Sequence, residues 1–304
     1  MSSTFDTTES ARSAITRFLH SNAISMHPIP TASTSSTTSI VETILRAKIL
    51  PIPDSPLLSL EKHLQTGLAI GTLAYAHTRA DIQAHIATHS MLVTIIDDRK
   101  IAHAALEEFI PRLLSGAAQL DPLLDMLVDN LRGMSDYYAP ASAGGIVAST
   151  LEFVNAMLRE TDVRDTEISE GAMRYARYVR AQNGMGEAYC LFVWDKFNFS
   201  DVASYVPAIA DAAIFVCFAN DILSFYKEEL LGDYQNMVHS RAAASGKDVV
   251  SALNDIVDET TVVISHVRDI LKGREKDAWE QFMSGYSLFH YLDARYRLHE
   301  VLSL

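Results

Sequence analysis

The stretch that decides the fold is AAIFVCFANDILSFYKE, residues 212–228. Its first half, residues 212–219, contains only apolar side chains, which predicts a helix that is buried on nearly every side. Asn220, Ser224 and Glu228 then recur every four residues, and this spacing places all three on one helical face. An unpaired polar group in such surroundings costs on the order of a few kcal/mol. The row therefore predicts that something polar meets this face of the helix.

The donor atoms of this row are an amide oxygen, a hydroxyl oxygen and a carboxylate. Oxygen donors of these kinds suit a hard divalent cation such as Mg²⁺, which usually shares its coordination shell with substrate phosphates. A buried polar network between helices is the alternative, and the segment alone leaves both open.

A second acidic feature ends an earlier helix. Helical patterning from about Asp81 onward stops at Asp97 and Asp98. Two carboxylates at a helix C-terminus are unfavourable without a cation, because the helix dipole is already negative there. Arg99 and Lys100 could supply the positive charge, so a solvated charged helix end is the alternative to a ligand site.

These motifs occur in one order along the chain. Asp97-Asp98 comes first, Arg180-Ala-Gln-Asn183-Gly184 follows, then the row on residues 220–228, and finally Arg295-Tyr296. In this order the sequence resembles the class I terpene cyclases, and most closely the trichodiene-synthase-like branch of fungal sesquiterpene cyclases. The resemblance implies an all-α fold, a class I terpenoid synthase helical bundle around a central apolar active-site cavity.

The resemblance also implies roles for individual residues. It implies three Mg²⁺ ions held by Asp97, Asn220, Ser224 and Glu228. The other residues implied in catalysis are Asp98, Arg180, Asn183, Gly184, Lys227, Arg295 and Tyr296. In the family's pattern Arg180 would read the diphosphate, Asn183 would couple it to a shift of the Gly184 carbonyl, and Asp98 would pair with Arg295 on closure.

One position departs from the family pattern. The aspartate-rich motif commonly has a third acid three residues after its second Asp, and Ile101 stands there. Asp97 can still bind a metal as the motif's first Asp, but the downstream end of the motif offers no ligand.

The composition limits which partners the protein can bind and in which cellular compartment it is expected. The formal net charge of −13 argues against a nucleic-acid partner. An acidic protein that binds a diphosphate needs a locally positive site, for which the resemblance supplies Arg180, Lys227 and Arg295. Cys190 and Cys217 lie in apolar helical surroundings, which favours a reduced, cytoplasmic protein. No stretch is recognised as a membrane span or an export signal, so no membrane partner is expected.

We predict two parts to the chain. Residues 1–38 form a partly flexible N-terminal segment with one short amphipathic helix around Ile15, Phe18 and Leu19, and residues 39–304 form a single class I terpene cyclase domain. A homodimer is implied by the resemblance only. After a long helix that starts near Leu57, helices are predicted at roughly 80–99, 101–115, 120–135, 144–160, 166–182, 186–197, 201–230, 232–244, 247–272 and 275–302.

Three further features leave alternatives open. Asn183-Gly184-Met185-Gly186 interrupts the helical pattern and either frees backbone groups for a ligand or forms a simple turn with a Gly C-cap. His85 and His89 lie four residues apart but have no third ligand at motif spacing, so a structural role is favoured over zinc. Aromatic residues that could either stabilise a carbocation or simply fill the core are Tyr75, Phe192, Trp194, Phe215, Phe218, Phe289 and Tyr291.

The function predicted is that of an Mg²⁺-dependent sesquiterpene cyclase acting on farnesyl diphosphate. A chain-elongating prenyltransferase would use similar metals, yet the sequence lacks a second Asp-Asp-x-x-Asp motif. A non-catalytic helical binding protein that retains the fold is the alternative from another class.

Overall fold

The computed structural model describes residues 2–26, 32–50, 57–162 and 168–302. Every regular element in these ranges is a helix, and the ranges contain no strand, so the all-α prediction is confirmed. The α-helices are α1 (Ser2–Ser21), α2 (Ala32–Ile49), α3 (Leu57–Ala69), α4 (Ala80–Asp97), α5 (His103–Glu107), α6 (Phe109–Ser115), α7 (Pro122–Arg132), α8 (Met134–Tyr137), α9 (Pro140–Asp162), α10 (Met173–Asn183), α11 (Gly186–Leu191), α12 (Ile209–Leu231), α13 (Met237–Ser245), α14 (Val249–Ile270) and α15 (Gly273–Leu292).

Short elements of tighter or wider helical geometry join some of these helices. A π-helical turn continues α3, and 3₁₀ turns precede α12 and follow α15. These elements are Ile70–Ala74 (π), Val202–Ser204, Val206–Ala208, Ala294–Tyr296 and Leu298–Glu300. The turn Ala294–Tyr296 contains Arg295 and Tyr296 just beyond the end of α15.

Several predicted helices are shorter than the sequence pattern suggested. The helix predicted from residue 201 starts at Ile209, because Pro207 lies in a 3₁₀ turn and has no backbone N–H to donate to a continuous helix. The helix predicted to reach residue 302 stops at Leu292. There the Asp293 carboxylate accepts a hydrogen bond from the Arg295 backbone N–H at 2.9 Å, which begins a new turn.

Helix α12 lies at the centre of the bundle. It packs against α1, α11, α14 and α15. Side chains of its first half are buried, including Phe215, Val216, Phe218 and Ala219, as the apolar pattern predicts. The polar row on residues 220–228 follows in the same helix, so the fold carries it into the interior.

The predicted N-terminal helix is present and longer than expected. Ile15 and Phe18 of α1 are fully buried, and the Phe18 ring lies 6.5 Å from that of Phe215 on α12. Arg17 donates a hydrogen bond to the Asn254 backbone oxygen of α14 at 3.0 Å. Through these contacts α1 contributes to the same core as α12. The boundary at residue 38 stays a prediction, and residues 27–31 lie outside the described ranges.

Within the described ranges, two helical stretches are long and apolar enough to cross a membrane, by length and composition alone. They are Pro140–Asp162 and Val202–Leu231, with mean hydropathies of 1.2 and 1.8. About half of each apolar window is buried inside the bundle. Core helices of globular proteins meet the same criterion, so the absence of a membrane partner stays a prediction.

Candidate active site

Asp97 and Asp98 lie at the C-terminal end of α4, where the chain turns. Arg99 has a left-handed backbone conformation with φ of 54°, and the Lys100 N–H donates to the Ile95 carbonyl at 3.0 Å. Asp97 keeps exposed surface, yet burial raises the pKa of its carboxyl group, and the charges of Arg295, Lys227 and Arg180 oppose that rise.

Asp98 is held by three basic side chains. His63 on α3 lies 3.0 Å from its carboxylate, Lys62 lies 3.5 Å away and Arg295 lies 3.7 Å away. The hydrogen bond with His63 holds the pKa of the Asp98 carboxyl well below its usual range. The structure therefore brings Asp98 and Arg295 together as the resemblance implies, while their role in closure stays a prediction.

His63 was not identified from the sequence. It lies 35 residues before Asp98 in a helix without a recognisable motif, so no local signal marks it. Thr66 on the same helix also helps to hold the turn that contains Arg295, because its hydroxyl donates a hydrogen bond to the Asp293 carboxylate at 2.8 Å.

The Tyr296 ring lies between two cations. The Arg295 guanidinium is 5.5 Å from its centroid and the Lys227 ammonium is 5.6 Å from it. Burial raises the pKa of the Tyr296 hydroxyl, so this residue is neutral at physiological pH. The three side chains thus form one cationic and aromatic wall that joins α12 to the end of the chain.

The polar row of α12 contains an orphaned hydroxyl. The Ser224 Oγ atom is buried and has no hydrogen-bond partner among the described residues. Asn220 and Glu228 flank it one turn to either side, and the Glu228 carboxylate lies 3.5 Å from Lys227. Burying a hydroxyl without a partner is unfavourable, which argues that a ligand completes the row.

The donor set fits a hard cation. Within the described ranges, no three His, Cys, Asp or Glu side chains cluster closely enough to hold a metal ion. A site here would therefore use the Asn220 amide and the Ser224 hydroxyl beside the carboxylates of Asp97 and Glu228. Such an oxygen-only set is what Mg²⁺ prefers when substrate phosphates complete its coordination.

Arg180 connects the α10 segment to the same row. Its guanidinium lies 2.9 Å from Asp221 and donates to the Cys217 carbonyl at 2.9 Å and to Asn220 Oδ1 at 3.0 Å. It also donates to Asn183 Oδ1 at 3.3 Å. Burial raises the pKa of the Asp221 carboxyl to about 6, an effect that the positive charge of Arg180 opposes.

The break between α10 and α11 is shaped by close packing. Gly184 is the C-cap residue of α10, with an ordinary helical φ of −84°, and the left-handed residue is Met185, with φ of 49°. A turn with a Gly C-cap is therefore present, and a ligand role for the break stays a prediction. A Cβ on Gly184 would lie 2.5 Å from the Cys217 sulfur, and one on Gly186 would lie 2.3 Å from the Ala213 carbonyl oxygen. Glycine is required here because α12 approaches the break so closely.

Glu160 at the end of α9 bridges this break to the aspartate turn. Its carboxylate accepts a hydrogen bond from Asn183 Nδ2 at 2.9 Å and lies 3.5 Å from Arg99. Burial raises the pKa of this carboxyl group. Glu160 was also missed from the sequence, because a single Glu near a helix end has no distinguishing pattern.

The features set aside in the sequence keep structural roles. Ile101 is buried and apolar, so the missing third acid has no substitute at that position. His89 bonds to the Thr150 hydroxyl at 3.0 Å, and burial lowers its pKa to about 3. Among the aromatic residues that could stabilise a carbocation or fill the core, Tyr75 packs edge-on against Phe192 inside a larger cluster of rings, with the two ring centroids 6.0 Å apart.

A separate cleft of about 510 Å³ lies on another part of the surface. It contains none of the residues described above; it is lined by Leu131, Arg132, Met134, Ser135, Tyr138, Pro140, Ala143, Gly144, Val147 and Lys196. Its lysine already donates to the Ser135 carbonyl at 2.8 Å. The candidate site is therefore defined by its polar side chains and not by this cleft.

The chain is similar in sequence and in fold to several known terpene synthases. Monoterpene synthase 25 of Postia placenta is 36% identical over 250 residues, which cover 80% of this chain and 75% of that protein. Terpene synthase BipA of Cochliobolus sativus is 31% identical over 245 residues, covering 79% and 75%. The crystal structure of linalool/nerolidol synthase from Streptomyces clavuligerus in complex with 2-fluorogeranyl diphosphate aligns with a TM-score of 0.62 at 13% identity, covering 86% of this chain and 94% of that one.

The fold and the site together define a class I terpene synthase, a lyase that acts on a prenyl diphosphate. The sequence profile of trichodiene synthase (TRI5) matches residues 50–303. The chain belongs to this family, and the resemblance inferred from its motifs is confirmed.

Proposed function

We propose that the protein is an Mg²⁺-dependent sesquiterpene cyclase that ionises farnesyl diphosphate. The observation that carries the proposal is the α12 row, with its unpartnered Ser224 hydroxyl, together with three cations that act electrostatically on Asp97. Family membership supports the reaction class, and the branch resembled supports the fifteen-carbon substrate. We propose the cytoplasm as its compartment.

In this proposal Asp97, Asn220, Ser224 and Glu228 hold Mg²⁺, which supplies positive charge to a leaving diphosphate. The allylic C–O bond breaks and its electron pair leaves with the diphosphate oxygen. Arg295 and Lys227 lie on the wall beside Tyr296 and stabilise the negative charge that develops there. The remaining allylic cation then cyclises, and it ends by losing a proton or adding water.

Arg180 has a distinct part in this scheme. Its guanidinium donates to Asn220 Oδ1 and to Asn183 Oδ1, so it contacts both the α12 row and the α10–α11 break. A diphosphate competes for the same donors, because phosphate oxygens accept bidentate hydrogen bonds from a guanidinium. Arg180 would thereby transmit arrival of the substrate to Asn183 and to the adjoining Gly184.

In this proposal the pair of Asp98 and Arg295 closes the site and excludes water from it. Asp98 and Arg295 already form an ion pair at 3.7 Å, and a small movement would shorten it to a hydrogen bond. Such closure protects a reactive cation from water. The buried rings around α12 and α15 then provide an apolar contour, and cation–π attraction adds to it.

A shorter prenyl diphosphate is the second candidate substrate. The Postia placenta relative is named a monoterpene synthase, and the structural neighbour was crystallised with 2-fluorogeranyl diphosphate. These observations favour a test of geranyl diphosphate beside farnesyl diphosphate.

Product analysis by gas chromatography and mass spectrometry distinguishes the candidates. The protein is incubated with geranyl, farnesyl or geranylgeranyl diphosphate, each with Mg²⁺ or with EDTA, and in a parallel set with isopentenyl diphosphate added. We expect a cyclic fifteen-carbon hydrocarbon or alcohol from farnesyl diphosphate with Mg²⁺ only. Turnover of geranyl diphosphate alone would revise the substrate, a longer diphosphate would indicate chain elongation, and no product from any substrate would refute the proposal.

A further inference from the structure

His290 is a buried histidine that no motif identifies. It lies on α15 with no exposed surface. Its two ring nitrogens have different partners: Nδ1 lies 2.7 Å from the Tyr286 carbonyl oxygen, and Nε2 lies 3.1 Å from Nδ2 of Asn220 on α12. The ring thus links the backbone of one helix to the first polar residue of the row on another.

The chemistry of these partners fixes the direction of both hydrogen bonds. A backbone carbonyl only accepts, so Nδ1 of His290 must carry the proton. A guanidinium only donates, so the end of the Asn220 amide that lies 3.0 Å from Arg180 is its oxygen. The other end, which faces His290, is therefore the NH₂ group, and Nε2 of His290 accepts a hydrogen bond from it.

We propose that His290 is a positioning residue that holds the Asn220 amide with its oxygen presented to the metal. The proposal rests on the proposed function and deepens it. The amide oxygen and nitrogen occupy nearly equivalent positions, so a flip of the side chain meets little steric resistance. Only the oxygen is a ligand for a hard cation, and a flipped Asn220 would offer an NH₂ group instead.

Arg180 provides the same constraint only while it stays on Asn220. In the structure described, two partners specify the amide orientation, one at each end of the amide. When Arg180 turns to a diphosphate, its donor leaves Asn220 Oδ1, and the bond to His290 is the one that remains. The orientation thus depends on His290 most strongly in the state that binds metal.

Two conservative substitutions separate the functions of the two ring nitrogens. In His290→Gln the side-chain amide reaches the place of Nε2, where its oxygen can accept from Asn220. In His290→Asn the shorter side chain reaches only the place of Nδ1, so it can donate to Tyr286 but offers Asn220 no acceptor. Both variants leave a polar group in the same buried site, which makes them a matched pair.

The measurement is Mn²⁺ binding in the presence of inorganic diphosphate, followed by electron paramagnetic resonance, which needs no turnover. Removing a residue that orients a metal ligand typically weakens metal affinity by about 10- to 100-fold. We expect a loss of this order in His290→Asn and a loss of less than about threefold in His290→Gln. Equal affinity in the wild type and both variants would overturn the proposal.

A double-mutant cycle with Asn220→Asp adds a test of orientation itself. A carboxylate presents oxygen at both positions, so its flip has no consequence for the metal. Its second oxygen also faces the lone pair of His290 Nε2 unfavourably. We therefore expect His290→Asn to lose little affinity, or to gain some, in the Asn220→Asp background. An equal loss in both backgrounds would show that His290 acts only through packing, and the proposal would be wrong.

Two controls keep this test separate from the proposed function. His89→Asn removes another fully buried histidine, and we expect it to lower stability without a change in Mn²⁺ affinity. Asn220→Ala reports on the site itself. If Asn220→Ala weakens Mn²⁺ binding and His290→Asn does not, the positioning role fails while the proposed function stands; if neither changes binding, the proposed metal site fails as well.

Discussion

Replacement of Arg180 by lysine keeps the charge but removes the geometry that the structure uses. The guanidinium bonds to acceptors in different directions: the Asp221 carboxylate, the Cys217 carbonyl and Asn220 Oδ1, at 2.9, 2.9 and 3.0 Å. A lysine has one nitrogen and can retain the ion pair, but it cannot reach all of these acceptors at once.

The magnitude follows from the bonds that are lost. Hydrogen bonds to charged groups contribute about 1.5–3 kcal/mol each, so losing two in a buried site lowers the free energy of unfolding by about 3 kcal/mol or more. For a chain of this size that loss corresponds to roughly 5 °C in melting temperature. The catalytic effect is separate: we expect the rate of ionisation to fall by orders of magnitude, with a smaller loss of substrate binding.

Arg177→Lys is the matched control, one turn earlier on α10. Arg177 is half exposed and pairs with Glu259 at 2.8 Å. Exposed pairs contribute at most about 1 kcal/mol, so this variant should keep nearly full stability and rate.

The assays are urea denaturation for stability and rapid-quench single turnover of farnesyl diphosphate for the rate. The second is run at a temperature at which both variants are folded. If Arg180→Lys unfolds and reacts like the wild type while Arg177→Lys is slow, the sensor has been placed one turn too late. If both behave like the wild type, Arg180 has no part in ionisation.

Further predictions concern the polar row of α12, the pair of Asp98 and Arg295, and the break between α10 and α11. Glu228→Ala should abolish turnover with little change in melting temperature, because the ion pair of its carboxylate with the neighbouring Lys227 is long, at 3.5 Å; a large loss of stability with activity retained would favour a structural network instead. Asp98→Asn and Arg295→Lys should each slow turnover, with non-additive effects in a double-mutant cycle; strict additivity would exclude the pairing. Gly184→Ala should lower the free energy of unfolding by about 1–3 kcal/mol, because the new Cβ would lie 2.5 Å from the buried Cys217 sulfur. Gly144→Ala, in open space on α9, should instead raise the free energy of unfolding by about 0.5–1 kcal/mol. Equal denaturation midpoints for these two glycine variants would contradict the close-packing argument.

The sequence predicted most reliably what depends on local geometry. The four-residue spacing of Asn220, Ser224 and Glu228 is a property of one helix, so their common face could be inferred without any tertiary information. The burial of most of residues 212–219 followed from their apolar pattern for the same reason. The resemblance then added Arg180 and Arg295, which occupy other helices and could not have been joined to the row by spacing.

Partners that come from distant helices carry no local signal. His63, Glu160 and His290 contact Asp98, Asn183 and Asn220 across 35, 23 and 70 residues respectively. Each is an ordinary polar residue in its own helix, and only the packing of the bundle brings it to the site. The same holds for Gly184, whose glycine is required by the approach of α12 and not by its own backbone angles.

The charges around the site explain why an acidic protein would need metal ions to bind a diphosphate. Five cations and five carboxylates are tied to one another there: Lys62, Arg99, Arg180, Lys227 and Arg295 with Asp97, Asp98, Glu160, Asp221 and Glu228. The cations are thus largely balanced before any substrate arrives, and the rest of the chain, at −13, adds no attraction for an anion. A diphosphate that entered this site alone would have to draw cations away from their carboxylates. The divalent cations proposed for this site would remove that conflict, because they would supply new positive charge to the substrate and new partners to the carboxylates at the same time.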